Sequence, residues 1–342
     1  MNKNIITTTL AAILLIGSAG MACAHFTMVF PSDSEATVWD VAPEDYIATM
    51  GETKTIYTMW GHPYEHILFD MASVPEISVM KPDGTVETLP PTEITVSGQG
   101  EDGNPGDFKA YKASFTVDQE GDSVVFVAYE DEGENLIDYT KAVIHCGKEA
   151  WIGWDSEVGQ QTEVLPYMRP YGMEAGFVFA GKALYNGKAL TGAPVEIEIY
   201  HTLDLGNEIV GIAEDMFEYD PPMVFTRLTK SNDNGEFVYT LDEPGIWFVG
   251  ATMEPESESE RNVRGVFIVP ILEPFPPVEA PSGTSISSTE LTKAVNDAKA
   301  AAAEAKAAAE RAASSATSSP GFGAIFAAVG LLAALAILMR RK

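Results

Sequence analysis

Cysteine is almost missing from this chain, with two residues, Cys23 and Cys146, among 342. Because Cys23 lies in a leader-like segment, one thiol remains after processing. An internal disulfide is therefore excluded, the fold rests on its core alone, and the thiol is expected to be buried. Basic residues are scarce as well: 21 Lys and Arg stand against 50 Asp and Glu, a formal charge of −29. A surface of that sign repels phosphate backbones and anionic lipid, which excludes nucleic acid as a partner, while it gathers cations and favours solubility. Long apolar runs are confined to the two ends. From His25 to about Lys148 no long helical period occurs, which argues against an α/β enzyme. CxxC pairs, Ser/His/Asp patterns and paired-carboxylate motifs are also absent, so no enzymatic activity is expected.

What stands at the ends is informative. Residues 1–24 carry Lys3, an apolar stretch from Leu10 to Ile16 and the small residues Ala22 and Ala24, the pattern of a secretory leader cleaved after Ala24. A lipoprotein route through Cys23 is disfavoured, because Gly20-Met21-Ala22 is a poor match to a lipobox. At the other end Gly321 to Met339 is apolar and uncharged and runs into Arg340-Arg341-Lys342. That stretch is long enough to span a bilayer, with its basic end inside. Removing Lys3 and the three terminal basic residues with the processed ends takes the exposed part to about −33.

From His25 to Lys148 short alternating runs are separated by turn signals. Lys54–Trp60, Ile77–Met80 before Lys81-Pro82-Asp83-Gly84, Phe108–Val117, Ser123–Tyr129 and Tyr139–Cys146 read as strands. The glycine-rich stretch from Ser97 to Asp107 reads as a flexible surface loop, and residues 149–171 as a packed, aromatic connection. Residues 172–272 resume the strand pattern with an Asn186-Gly187 hairpin turn and with Val195, Ile197 and Ile199 on one face opposite Glu196 and Glu198. The expected class is all-β, with two β-sandwich domains, 25–148 and 172–272. A Pro/Ser linker with an Ala-rich helical stalk follows over 273–319, then a membrane or sorting segment over 320–342. As a helix, Leu291 to Ala313 would measure about 30 to 35 Å.

The chain has five histidines, and three of them fall in two short segments: His25, and Trp60-Gly61-His62-Pro63-Tyr64-Glu65-His66. Cleavage after Ala24 makes His25 the first residue, offering an amine and an imidazole to one ion. His62 adds a third nitrogen, and Glu65 or His66 a fourth donor, a mixed N,O set that suits Ni²⁺ or Cu²⁺. Pro63 argues for a turn rather than a helix between His62 and His66. The plainer alternative is that His62 caps a turn beside Trp60 and Tyr64. His145 is expected to be structural in its strand, and His201 a satisfied residue at the edge of a core.

Three resemblances follow from particular residues. Ser318-Ser319-Pro320-Gly321-Phe322 ahead of the apolar span resembles the archaeal PGF-type sorting signal, which implies processing by an archaeosortase-like enzyme and anchoring at the outer face of the cell membrane. Asp233-Asn234-Gly235-Glu236-Phe237 and its flanking strands resemble the transthyretin-like, Ig-type module. Finally, His25-Phe26-Thr27-Met28-Val29-Phe30-Pro31-Ser32, Gly61-His62-Pro63-Tyr64-Glu65, Tyr139-Thr140-Lys141, Gly153-Trp154-Asp155, Arg169-Pro170-Tyr171-Gly172 and Gly235-Glu236-Phe237 together are similar to the nickel and cobalt uptake-associated exported family. That family includes the additional periplasmic component of ECF-type nickel transporters. The resemblance covers about 25–272 and implies capture or presentation of Ni²⁺, or Co²⁺, to a membrane ECF-type transporter. Ala128-Tyr129-Glu130-Asp131-Glu132 and Gly245-Ile246-Trp247-Phe248 depart from the family's pattern. Two other functions remain open: a copper histidine-brace oxidoreductase, and a structural Ig-like module of the cell surface.

Overall fold

The run Val263-Arg264-Gly265-Val266-Phe267-Ile268-Val269-Pro270-Ile271 is apolar at nearly every position, as expected of a strand covered on both faces. The computed structural model describes residues 25–33, 39–201, 215–216, 225–255, 257 and 260–275. The leader, the stalk and the C-terminal segment expected from sequence lie outside the described residues, and no helix among these residues is long and apolar enough to cross a membrane. The described chain is all-β. Its first ten strands are β1 (Phe26–Ser32), β2 (Ile47–Ala48), β3 (Thr53–His62), β4 (Ile67–Phe69), β5 (Glu76–Met80), β6 (Val86–Leu89), β7 (Thr92–Gln99), β8 (Pro105–Thr116), β9 (Gly121–Asp131) and β10 (Leu136–Cys146). The remainder are β11 (Thr162–Pro166), β12 (Met173–Glu174), β13 (Phe177–Tyr185), β14 (Lys188–Ala189), β15 (Pro194–Tyr200), β16 (Arg227–Lys230), β17 (Glu236–Leu241), β18 (Gly245–Met253) and β19 (Asn262–Leu272).

These strands make three sheets. A five-stranded sheet runs β1-β3-β4-β7-β8, with β8 returning to pair with β3. A ten-stranded sheet runs β16-β15-β18-β19-β10-β9-β5-β6, with β2 beside β10 and β12 beside β19. The third sheet runs β11-β13-β14, with β17 on β13. The large sheet is continuous because β10 and β19 pair in parallel from Leu136↔Asn262 to Lys141↔Phe267. Strands from 25–148 and from 172–272, expected as two sandwiches, therefore share one sheet.

Alternation along β19 shows the layering. Val266 and Ile268 pack into a core with Phe26, Met28 and Phe30 of β1, whereas Phe267, Val269 and Ile271 pack with Phe179 and Phe237 beneath the small sheet. The large sheet thus has apolar cores on both faces, which is why its central strands lack a clean polar alternation.

Two local expectations need correction. The stretch from Ser97 to Asp107 is not a flexible loop: β7 and β8 stay paired through Ser97↔Asp107, Gly98↔Gly106 and Gln99↔Pro105. Backbone pairing between neighbours needs no bulky side chains, so glycines were a misleading signal there. The segment 149–171 contains β11, which pairs with β13. The Asn186-Gly187 turn does form, both residues having positive φ (50° and 70°) as a tight hairpin requires. Cys146 is buried.

Candidate functional site

The antiparallel pairing of β1 with β3 sets Phe26 opposite Gly61, so one step further along the register His25 meets His62. Their rings lie stacked, with centroids 4.5 Å apart and planes at 21°. Phe69 on β4 stands edge-on to both, at 4.6 Å from His25 and 5.5 Å from His62. Nδ1 of His62 lies 2.7 Å from Oε2 of Glu65, and Nδ1 of His25 lies 3.2 Å from Oε1 of Glu134. The structure therefore brings together His25, His62 and Glu65.

A close approach within the hairpin holds the second segment. A Cβ on Gly61 would sit 1.9 Å from the Ile67 carbonyl oxygen, so only glycine lets β3 and β4 pass this closely. Pro63 to His66 make the turn between them, the His66 amide donating to the Pro63 carbonyl at 3.4 Å and His66 adopting φ 56°. His62 thus ends β3 and His66 ends the turn, in line with the expectation from Pro63 that no helix joins them.

Backbone contacts to a buried ionic group fix the first segment. Asp138 accepts from the Thr27 amide at 2.8 Å and takes Arg264 in a two-point contact, at 2.9 Å from Nε and 3.2 Å from Nη2. Arg264 also reaches Glu196 at 3.3 Å, donates to the His25 carbonyl and lies 4.2 Å over the Phe26 ring. Arg264 and Asp138 are each about 1% exposed. A guanidinium so desolvated must have its carboxylate partners in place, and these hold the start of β1 in one position.

Burial, reinforced by His62 and then Arg264, lowers the His25 imidazole to about 4. At neutral pH its ring is uncharged and has a lone pair to offer, the form a metal ion requires. Stacked rings, however, hold their lone pairs in nearly parallel planes, so the pair does not close on one point as it lies. No group of three or more His, Cys, Asp or Glu able to hold a metal ion occurs among the described residues.

His66 is placed differently. Its ring stacks on Tyr200 at 4.2 Å and on Trp39 at 6.3 Å, its Nε2 is buried with no partner among the described residues, and burial lowers it to about 4. His201, expected to be satisfied, is buried with its Nε2 likewise unpartnered, and burial lowers its pKa too. His145 is structural: its ring nitrogens lie 2.8 Å from Asp122 and 2.5 Å from the Gly147 carbonyl, and Tyr171 stacks on the ring.

Sequence reasoning missed Arg264, Asp138 and Glu198. Glu196 and Glu198 lie between layers, not on a wet face; Glu198 is 1% exposed, and Thr226 donates to its Oε1 while Oε2 is buried with no partner among the described residues. Burial raises this carboxyl well above the ordinary range, so it is held as the acid. The available signal was a charge set within an apolar strand, as Arg264 is, since such residues are buried only when paired.

Among solved structures, the chain is similar to a Ca²⁺-stabilized adhesin that helps an Antarctic bacterium bind ice, at 11% identity over 72% of this chain and 49% of that one, TM-score 0.20. It is also similar to Salmonella alpha-2-macroglobulin reacted with methylamine, at 13% identity over 72% and 15%, TM-score 0.20. A third is a DUF4785 family protein from Legionella pneumophila, at 8% identity over 60% and 48%, TM-score 0.19. The chain spans half or less of each of these proteins, and likeness at such scores carries no conclusion. No curated protein matches. Residues 319–342 match the PGF-CTERM motif, which makes this an exported protein of the cell surface, processed by an archaeosortase-like enzyme and anchored at the membrane. Residues 22–255, more than half of the chain and including both histidine segments, match the family described as a domain of unknown function, DUF4198, and the chain belongs to that family.

Proposed function

We propose that the processed protein is a surface metal-binding accessory that captures Ni²⁺, with Co²⁺ or Cu²⁺ as alternatives, and presents it to an ECF-type uptake transporter in the membrane. The observation that carries this reading is the juxtaposition of His25 and His62 across β1 and β3, with Glu65 on His62. In the full chain the His25 nitrogen is an amide linked to the leader; cleavage after Ala24 would turn it into an amine. That amine supplies the third nitrogen, and a turn of the His25 ring away from the stack directs both imidazoles to one ion, with Glu65 as an oxygen donor. The clamp of Asp138 and Arg264 on the backbone at His25 and Thr27 keeps the chelating residue beside His62. The resemblance to the nickel and cobalt uptake-associated family points the same way, and a surface position suits capture ahead of transport.

Calorimetric titration of the processed protein with Ni²⁺, Co²⁺, Cu²⁺ and Zn²⁺ tests this. Dissociation constants of about a micromolar or tighter are expected, lost when one extra residue precedes His25. If none of the four ions binds, the proposal fails, and a structural surface module with incidental histidines takes its place.

A further inference from the structure

Beyond the edge of the small sheet, one face of the ten-stranded sheet stays partly open. The register there aligns two rows across β5, β9 and β10. Glu76, Ala128 and Tyr139 form one, and Ser78, Phe126 and Lys141 the other. Lys141 is covered, bonded to Glu163 at 2.8 Å. The rest of both rows floors a groove of about 470 Å³ walled by Val158–Gln161 and Asn186. Small-molecule sites usually measure roughly 300–1,000 Å³.

The chemistry of the lining is selective. Phe126 and Tyr139 are partly exposed aromatic rings on the floor, and Gln161 and Asn186 line the groove with Ser78, while Gln160 lines it with its Oε1 buried. Side chain and backbone are held in place: Gln160 Nε2 donates to the Val127 carbonyl at 3.0 Å, Gln161 Nε2 donates to the Tyr185 hydroxyl at 3.0 Å, and the backbone N–H of Asn186 donates to the Gln161 backbone carbonyl at 2.7 Å. Among the described residues Glu76 is the one charged residue of the lining. Planar amides offer a donor and an acceptor side by side, which match neighbouring hydroxyls, and aromatic faces pack against apolar C–H surface. A ligand with both features and no charge is a sugar. With no cation among the described residues of the lining, phosphate, sulfate or uronate groups gain no ion pair.

We infer that this groove binds a neutral oligosaccharide, as a site independent of the histidine cluster. A protein displayed at the cell surface meets such ligands there, and the groove's residues come from strands that do not contribute to the pairing of β1 with β3.

The test titrates the processed full protein with chitohexaose, cellohexaose and mannohexaose, by calorimetry and by tyrosine and tryptophan fluorescence. Dissociation constants of roughly 0.1 to 1 mM are expected for at least one of them. Phe126→Ala removes the floor ring and is expected to weaken binding at least about tenfold. Asn186→Gly removes one amide but keeps the positive φ of the turn, so it serves as the variant least disturbing to the fold. Weakening in either variant, with the circular dichroism and the Ni²⁺ titration unchanged, supports the site. Absence of binding to all three sugars at about 5 mM, or binding retained by both variants, overturns it. Neither result bears on the metal site, whose own titration stands apart.

Discussion

Replacing His66 by Phe isolates one buried imbalance. In the folded protein burial lowers the imidazole from 6.5 to about 4. At about 1.4 kcal/mol for each tenfold change in proton affinity, that fall is worth on the order of 3 kcal/mol. The sign follows from which state takes the proton first. Above pH 7 His66 is neutral in both states, and its titration contributes nothing to the pH dependence. As pH falls through 6.5 the unfolded chain is protonated while the folded one is not, so stability declines until about pH 4 and then levels off. Phe keeps the stack on Tyr200 and loses the ring's hydrogen bond to the His201 backbone. Losing that bond costs about 1 kcal/mol, offset by removal of the unpartnered Nε2, an atom whose burial costs about 1–3 kcal/mol. Near pH 8 the two proteins should be similar in stability. By pH 4 the variant should be the more stable by roughly 3 kcal/mol. Urea unfolding followed by tryptophan fluorescence at pH 8, 6, 5 and 4 measures the difference, in which all shared titrations cancel. A difference flat to about 0.5 kcal/mol across that range would refute the reasoning.

Other perturbations are equally specific. Arg264→Met leaves Asp138 and Glu196 buried without their cation, and a loss of about 3–5 kcal/mol is expected in chemical unfolding, with weaker Ni²⁺ binding because the start of β1 is released. Gly61→Ala drives a methyl into the Ile67 carbonyl oxygen, so the β3–β4 hairpin must shift; a lower melting temperature and loss of the His25–His62 stack, visible as altered imidazole NMR shifts, are the expected readouts. Glu198→Gln should leave stability unchanged below pH 4.5, where the carboxyl is protonated in both states. Above that the unfolded wild-type chain ionises and the buried acid does not, so the variant's advantage should grow with pH in calorimetric unfolding, and a constant advantage would count against a buried acid. Because the His25 ring is already neutral down to about 4, the pH dependence of Ni²⁺ affinity should follow the terminal amine, weakening about tenfold per pH step below roughly 8.

Much of the local structure was legible. The Lys81-Pro82-Asp83-Gly84 and Asn186-Gly187 turns form where expected, because a positive φ selects Gly and Asn within a few residues. His25 and His62 lie 37 positions apart in the chain, yet they meet because antiparallel pairing returns β3 along β1. His66 was not separable from them by spacing alone: a turn, unlike a helix, sends neighbouring side chains in unrelated directions, and this one goes to Tyr200 and Trp39. The stretch 97–107 misled because glycine marks both loops and hairpin ends.

The amino-acid order determined the strands, their faces and their turns, together with the exported, anchored character, since each depends on neighbours a few residues apart or on a contiguous signal. Period-two alternation states which side chains share a face; it does not state what covers that face. Only the tertiary structure decided that β10 and β19 join both halves into one sheet, and that Glu196 and Glu198 turn toward a second layer instead of water. It also decided that Arg264, 126 positions away from Asp138, anchors the start of β1. The physical reason is that long-range pairing and desolvation depend on the surfaces that remain unpaired after local structure has formed, and those surfaces are contributed by the whole chain at once.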